Sequence, residues 1–555
     1  MKTSLLILAA AATIVCSCQS SKDKPESTLY YNGTIITMED PIYADALLVQ
    51  GDTIAAVGTL KDVKSKASGK INRIDLKGKV LMPSFIDPHS HLSGYATSLL
   101  EVSLEGATDF EDIANRITKY IKDNKIEKGK WVQAGSYDQT ALKEKTHPGL
   151  AFLDSIAPDN PLMIKHKSGH SGLANSEALK QLGLTAQSKN PSGGVIGKEN
   201  GKLTGLLEEN AFIQNVTKIP MAKMEDYAWA FSKIQDKYAS YGITTIQEGL
   251  MVQELGDIYN YIVTNGLLKL DVVSYVDIRR PDTLMKRFAP YIGHYKNHFK
   301  IGGYKIILDG SPQGRTAWML EQYENAPDGY RGYPIYTDEQ LQQKVNKALD
   351  DHFQLLAHCN GDAASKQMIA AYQNALPTHP DLAKTRPVMV HAQLFPENQM
   401  DAAKALGIIP SFFVAHVWYW GDIHIQNFGL ERASKISAAN TALKHGMLFT
   451  FHQDSPVIDA NMIETIWCAV NRKTKAGVIL GPNERISPLE ALKAVTINAA
   501  YQYFEENEKG SLKPGKKADL VVLSDNPLKI DPMKIRDIQV LQTIKDAKVI
   551  YQRGK

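Results

Sequence analysis

The chain has 555 residues, 43% hydrophobic and 22% charged, which is enough apolar material for a large core and more than one domain. Its 63 Lys and Arg nearly cancel its 60 Asp and Glu, leaving a formal charge of +3. With no long basic run, this composition lacks the electrostatic footprint of nucleic-acid binding, and no nucleic-acid partner is expected.

The first element is a targeting segment. Lys2 gives a positive start, and residues 5–15 form an apolar stretch too short to span a bilayer as a mature helix. Val15-Cys16-Ser17-Cys18 resembles a bacterial lipobox, so cleavage ahead of Cys18 and lipidation of Cys18 are expected. Residues 1–17 then read as a signal peptide and 18–27 as a lipidated tether. The expected product is exported from a bacterial cell and membrane-anchored, facing the periplasm or cell surface. A plain secretory signal cleaved nearby is the alternative. Of the remaining cysteines, Cys359 and Cys468 do not make a disulfide framework and are expected to be free and buried.

Residues 28–78 read as short strands punctuated by Asn32-Gly33 and Gly51-Asp52 turns, and residues 509–555 have the same character. One small β domain built from both ends is the economical reading. Between them, strand and helix patterns alternate. Strands are predicted over 80–86, 244–247, 270–275, 304–308, 354–358, 388–391, 408–413 and 447–451. Helices are predicted over 339–351, 365–376 and 489–503. Eight strands with intervening helices give an α/β fold of (β/α)8 TIM-barrel type. The barrel is assigned to residues 79–97 and 226–508. The gap after the first strand is far longer than a simple crossover, so residues 98–225 are expected to form an inserted α/β subdomain.

Barrel active sites sit where the strands end. The first strand runs into Asp87-Pro88-His89-Ser90-His91, and period-two alternation places His89 and His91 on one side. Such a pair can supply half of a divalent-metal site, or be two ordinary surface histidines. The fourth strand carries Lys305, the fifth and sixth end at His358 and His391, and the eighth runs into His452-Gln453-Asp454. Taken singly, Lys305 could be a snorkelling strand lysine, His358 and His391 satisfied core histidines, and Asp454 a turn cap. The apolar neighbours Ile306, Ile307 and Leu308 favour a buried Lys305, and burial makes the neutral amine accessible.

In this order the residues resemble the amidohydrolase superfamily, and the finer motifs resemble its amidohydrolase-3 branch, which includes N-substituted formamide deformylase-like proteins. The motifs are Met82-Pro83-Ser84-Phe85-Ile86-Asp87-Pro88-His89-Ser90-His91, Lys305-Ile306-Ile307-Leu308-Asp309-Gly310-Ser311, Ala357-His358-Cys359-Asn360-Gly361-Asp362, Val390-His391-Ala392-Gln393 and Asp454-Ser455-Pro456-Val457. Gly515-Lys516-Lys517-Ala518-Asp519-Leu520 near the C-terminus also matches. The resemblance implies one or two divalent ions, with zinc the expected metal. His89 and His91 would bind the more buried ion, and His358 and His391 the second. Lys305 would bridge them as a carbamate. Asp454 would ligate the buried ion and shuttle the proton.

The implied reaction is hydrolysis of a carbon–nitrogen, amide-type bond in a small molecule by metal-activated hydroxide. Metal-assisted chemistry on another bond, or a non-catalytic tethered binding protein, are the alternatives. For the substrate, His170, Arg315, His416 and Trp418 are candidate contacts. Arg315 lies in a Gly-rich loop after the fourth strand and suits a carboxylate or carbonyl, and the aromatic run after the seventh strand suits an apolar pocket. Two departures from the family pattern stand out. His452 and Gln453 replace residues that are usually small, and alternation turns His452 inward with Asp454. Glu248 ends the second strand and could approach the mouth.

Overall fold

The computed structural model describes residues 27–220 and 222–554. The expected signal segment, Cys18 and nearly all of the tether lie outside this range. Among the described residues no helix is long and apolar enough to cross a membrane.

Eight parallel strands form the central sheet in sequential order: β1 (Phe85–Ile86), β2 (Ile243–Met251), β3 (Asp271–Asp277), β4 (Phe299–Ile307), β5 (Gln354–Cys359), β6 (Val388–His391), β7 (Ile409–Phe412) and β8 (Thr450–Phe451). Most of their residues are buried, as parallel sheets covered on both faces require. The sheet curls until its two edges meet. Just past β1 and β8, the Asp454 N–H donates to the His89 carbonyl (3.3 Å) and the His91 N–H to that of Ser455 (2.8 Å). The mixed α/β fold is therefore that of a TIM-like barrel. Val273, Tyr275, Leu356, Val388 and Val390 share one buried cluster. His358 lies two residues beyond Leu356, so alternation carries it to the same side.

Helices cover the outside of the sheet. In the helix Asp338–Asp350, Thr337 and Gln340 form a capping box, and Leu341, Val345, Ala348 and Leu349 make its buried face.

Two further groups of strands surround the barrel. A six-stranded sheet (order Lys548–Gln552, Val540–Lys545, Leu520–Leu523, Val80–Pro83, Thr34–Ile36, Tyr43–Ala44) interleaves the two chain ends. It shares a core of Tyr30, Leu47, Leu81, Leu520 and Ile544 with a four-stranded sheet from residues 27–75. A second six-stranded sheet lies wholly within residues 102–209 and has its own core, including Ile113, Ile117, Leu153 and Ile164.

Two predicted elements are corrected. The strand predicted over 80–86 is split: Val80–Pro83 pairs with Leu520–Leu523 and Thr34–Ile36, and only Phe85–Ile86 enters the barrel. The break falls at Ser84, whose N–H is held by the Asp519 carbonyl. The helix predicted over 489–503 divides into Pro488–Ala494 and Ile497–Gln502. Thr496 leaves helical geometry, and the Val495 carbonyl turns to accept from the Ile86 N–H of the first barrel strand. Cys359 and Cys468 are free and buried.

Candidate metal centre and substrate cavity

The C-terminal strand ends bring His89, His91, Lys305, His358, His391 and Asp454 together. His89 Nε2 lies 3.4 Å from Asp454 Oδ1, and His91 Nε2 lies 3.3 Å from the same oxygen. Lys305 Nζ is 3.2 Å from His89 Nε2. His391 Nε2 is 3.0 Å from His358 Nδ1 and 4.0 Å from Asp454 Oδ2. Two nitrogen ligands at ~2.1 Å on a tetrahedral ion stand roughly 3.3 Å apart, so these separations suit donor atoms converging on shared metal positions. Among the described residues, His89, His391 and Asp454 form a group whose ligand atoms lie within 4.8 Å of one another. Asp454 Oδ1 is buried without a hydrogen-bond partner. A buried anionic oxygen facing imidazole nitrogens, with no donor of its own, is what a cation would satisfy.

Electrostatics keep three of the four histidines, His89, His358 and His391, in the neutral form that can ligate. Burial, reinforced by the field of Lys305, holds His89 well below the usual imidazole range, and burial with neighbouring His358 and His452 does the same to His391. His358 is pushed down to about 3, again mainly by burial. Neutral imidazoles keep the lone pairs that bind metals. Burial brings Lys305 down to about 8, near enough to neutrality for an uncharged amine to be accessible. Burial opposes the charge of Asp454, but His91 beside it outweighs burial and holds the carboxyl below its usual range. Burial likewise opposes a cationic His91, yet Asp454 and Glu248 raise it to about 9.

Residues behind the ligands fix their rings. His89 Nδ1 is 2.5 Å from Gln247 Oε1, and Gln247 Nε2 donates to the Pro88 carbonyl (2.7 Å). His91 Nδ1 faces Glu248 Oε1 at 3.9 Å, and Glu248 Oε2 accepts from Tyr259 Oη (2.6 Å) and the Ser93 N–H (2.8 Å). Consecutive residues of β2 thus serve both histidines of the HxH pair. Gly249, next in line, has no room for a side chain: a Cβ there would lie 2.6 Å from His89 Cε1 and 2.9 Å from the Ser90 carbonyl oxygen. Asp309, after β4, accepts from the N–H groups of Trp318, Asn360 and Gly361 and so ties together the loops that follow β4 and β5. His391 and Asp454 both have left-handed backbone (φ 73° and 56°), a strained conformation for non-glycine residues that clusters at functional sites.

A cavity of about 230 Å³ lies on the side of His170, whose charge reaches His358, although none of the six gathered residues lines it. Asp138, His166, His170 and Glu209 line it from the 102–209 sheet region, and Ser311 and Gln313 from the loop after β4. His170 Nδ1 is 2.9 Å from Glu209 Oε2. Burial opposes its protonation, but Glu209 and the more distant Asp454 and Asp309 raise its pKa. Glu209 has φ 49° and ψ −125°, a strained backbone that turns its side chain toward His170.

The other candidate contacts are placed differently. Arg315 Nε donates to Asn427 Oδ1 (2.9 Å), and its Nη2 donates to the Glu324 carbonyl (2.8 Å), so the guanidinium secures its own loop. The aromatic run from His416 to Trp420 begins the helix His416–Ala433. Helical spacing stacks His416, Trp420 and His424 on one side, with His416 Nδ1 3.0 Å from His424 Nε2. Trp420 reaches the cavity wall, while Trp418 packs edge-on against Trp467 and under Arg536. The sequence reading did not single out Gln247, Gly249, Ser411 or Glu209. Only Gly249 carried a usable signal, a glycine inside an otherwise buried strand.

Comparison with known proteins places this geometry. The N-substituted formamide deformylase of Arthrobacter pascens is 27% identical over 533 residues, covering 92% of this chain and 95% of that protein. An uncharacterized metal-dependent hydrolase from Pyrococcus horikoshii OT3 superposes with a TM-score of 0.74 at 26% identity, covering 91% of this chain and 99% of the other. One from Pyrococcus furiosus gives 0.73 at 24% identity, covering 91% and 100%, a likeness of fold. The sequence profile of the amidohydrolase family matches residues 73–551, and this chain belongs to that family.

Proposed function

We propose that the protein is a metal-dependent hydrolase of amide-type carbon–nitrogen bonds in small molecules. The observation that carries this reading is the convergence of His89 Nε2 and His91 Nε2 on the unpartnered, buried Asp454 Oδ1, with His391 alongside. Similarity to the N-substituted formamide deformylase of Arthrobacter pascens supports the choice of bond.

His89, His91 and Asp454 would hold one ion, and His358 and His391 a second, with Lys305 between them as a carbamate. A divalent ion such as zinc, when bound there, supplies Lewis acidity toward water and a substrate carbonyl. The rest of the chemistry falls to the chain. Asp454 Oδ1 faces the two histidines of β1, leaving Oδ2 to take a proton from the attacking water and return it to the leaving nitrogen. His170 and Glu209 in the cavity wall orient the substrate, and Trp420 packs against its apolar part.

The expected lipid anchor at Cys18 belongs to the same proposal: an exported hydrolase tethered to the membrane surface. So does the division into a barrel, a domain from both termini and the 98–225 insertion. Metal quantitation on purified protein, joined to a screen of N-formyl and N-acyl amines, tests the activity. Stoichiometric metal with turnover of at least one amide class is expected. Metal-free protein that stays inactive when metal is supplied would refute it.

A further inference from the structure

His452 has a specific position behind the gathered histidines. Its Nε2 is 3.1 Å from His391 Nδ1, and its Nδ1 is 2.9 Å from Ser411 Oγ. His452 and Ser411 are fully buried and His391 is nearly so. The His452 ring also packs 5.2 Å from His89 and 5.2 Å from Phe413, centroid to centroid. It therefore stands behind two of the histidines assigned to metal binding without facing the cavity.

These three side chains have two ways to share their protons. In one, Ser411 donates to His452 Nδ1, His452 Nε2–H donates to His391 Nδ1, and the remaining His391 proton sits on Nε2. In the other, His391 Nδ1–H donates to His452 Nε2, and His452 Nδ1–H donates to Ser411 Oγ. Only the second leaves a lone pair on His391 Nε2, the nitrogen that faces His358 Nδ1 and Asp454. A histidine can ligate through one nitrogen only if the other carries the proton, and the partner of that other nitrogen fixes both tautomer and ring orientation.

We infer that His452 is a positioning residue for the metal centre: it accepts the His391 Nδ1 proton, passes the hydrogen-bond chain on to Ser411, and so holds His391 Nε2 toward the metal. The inference rests on the metal-centre reading above. His391 is thus oriented by the same segment, just past β8, that carries Asp454.

The test compares His452→Leu, which fills space without an acceptor, with His452→Gln, whose amide oxygen restores one. Zinc affinity of the apoprotein is read by chelator competition, and the visible spectrum of the cobalt-loaded protein reports the ligand field. His452→Leu is expected to weaken zinc binding by about 10- to 100-fold and to shift the cobalt bands, with His452→Gln recovering most of the loss. If His452→Leu fails to fold, Ser411→Ala serves instead: it leaves every proposed ligand in place and is expected to weaken zinc about tenfold. Equal losses in the Leu and Gln variants would show a packing role and overturn the proposal. So would wild-type affinity in His452→Leu or Ser411→Ala. Wild-type protein that takes up no metal would overturn the metal-centre reading along with it.

Discussion

Gly249 offers a sharp test of the site geometry. Adding one methyl group there, Gly249→Ala, places a Cβ 2.6 Å from His89 Cε1, where ordinary contact begins near 3.4 Å. The ring must retreat by roughly 0.8 Å, since the other close neighbours are the Ser90 carbonyl and Gln247 Oε1, which are fixed by the strand and by the bond to His89 Nδ1. With no ion bound, only the surrounding packing and the Gln247 contact resist that move. Metal ligation tolerates only about 0.2 Å of displacement, so binding must force the ring back and the strain falls on the metal affinity. Overpacking of this kind costs about 1–3 kcal/mol. At ~1.4 kcal/mol per factor of ten, zinc should bind about 5- to 150-fold more weakly. Chelator competition measures this directly, and the extra thermal stability gained on metal loading should shrink in parallel. Unchanged zinc affinity in a folded Gly249→Ala protein would refute the claim that His89 points its Nε2 at a metal from this position.

Other variants probe separate parts of the molecule. Asp454→Asn should lose nearly all turnover while still binding metal, as measured by steady-state rates and metal analysis; retained activity would remove Asp454 from the proton transfer. Glu209→Gly should relieve backbone strain of about 1–3 kcal/mol yet raise KM, separating stability in thermal melts from substrate binding; a protein improved in both would make the strain purely incidental. At the opposite end of the barrel, Lys509 Nζ contacts both Asp271 and Glu505 (3.0 Å to Glu505 Oε2), all deeply buried. Lys509→Met takes one cation from two carboxylates that keep others, Lys545 and His298 on Asp271 and Lys300 on Glu505, so it should cost less than the about 3–5 kcal/mol of a fully broken buried pair in denaturant unfolding, with little change in metal affinity. Burial opposes the charge of Asp271, but Lys509, His298 and Lys545 hold its pKa well below 3.8. A depressed carboxylate stabilises the fold above its unfolded pKa and loses that contribution as the pH falls. The wild-type protein should therefore weaken below about pH 4, and Lys509→Met should show a flatter acid limb; parallel pH profiles would argue against this pairing.

Local patterns in the sequence carried much of the architecture. Apolar runs bounded by turn residues marked the eight strands, and period-two alternation put His89 with His91 and turned His452 inward. Burial of Lys305 followed from its three apolar neighbours. What lay beyond local pattern was partnership across long sequence separations. Arg315 has the chemistry of an anion binder, but Asn427, more than a hundred residues away, already holds its guanidinium. Trp418 and Trp420 are equivalent in a list of aromatics, and only the helix phase decides which one meets the cavity. The run 80–86 is uniformly apolar, so its split between two sheets follows from where Leu520–Leu523 and Ile243–Met251 come to lie.

The sequence by itself determined the number of strands, the order of the ligand-type residues along them and the family they resemble, because strand periodicity and residue chemistry are properties of short segments. The tertiary structure alone decided which nitrogen of each histidine faces inward, because that depends on Gln247, Glu248 and His452 arriving from other strands to occupy the opposite nitrogen.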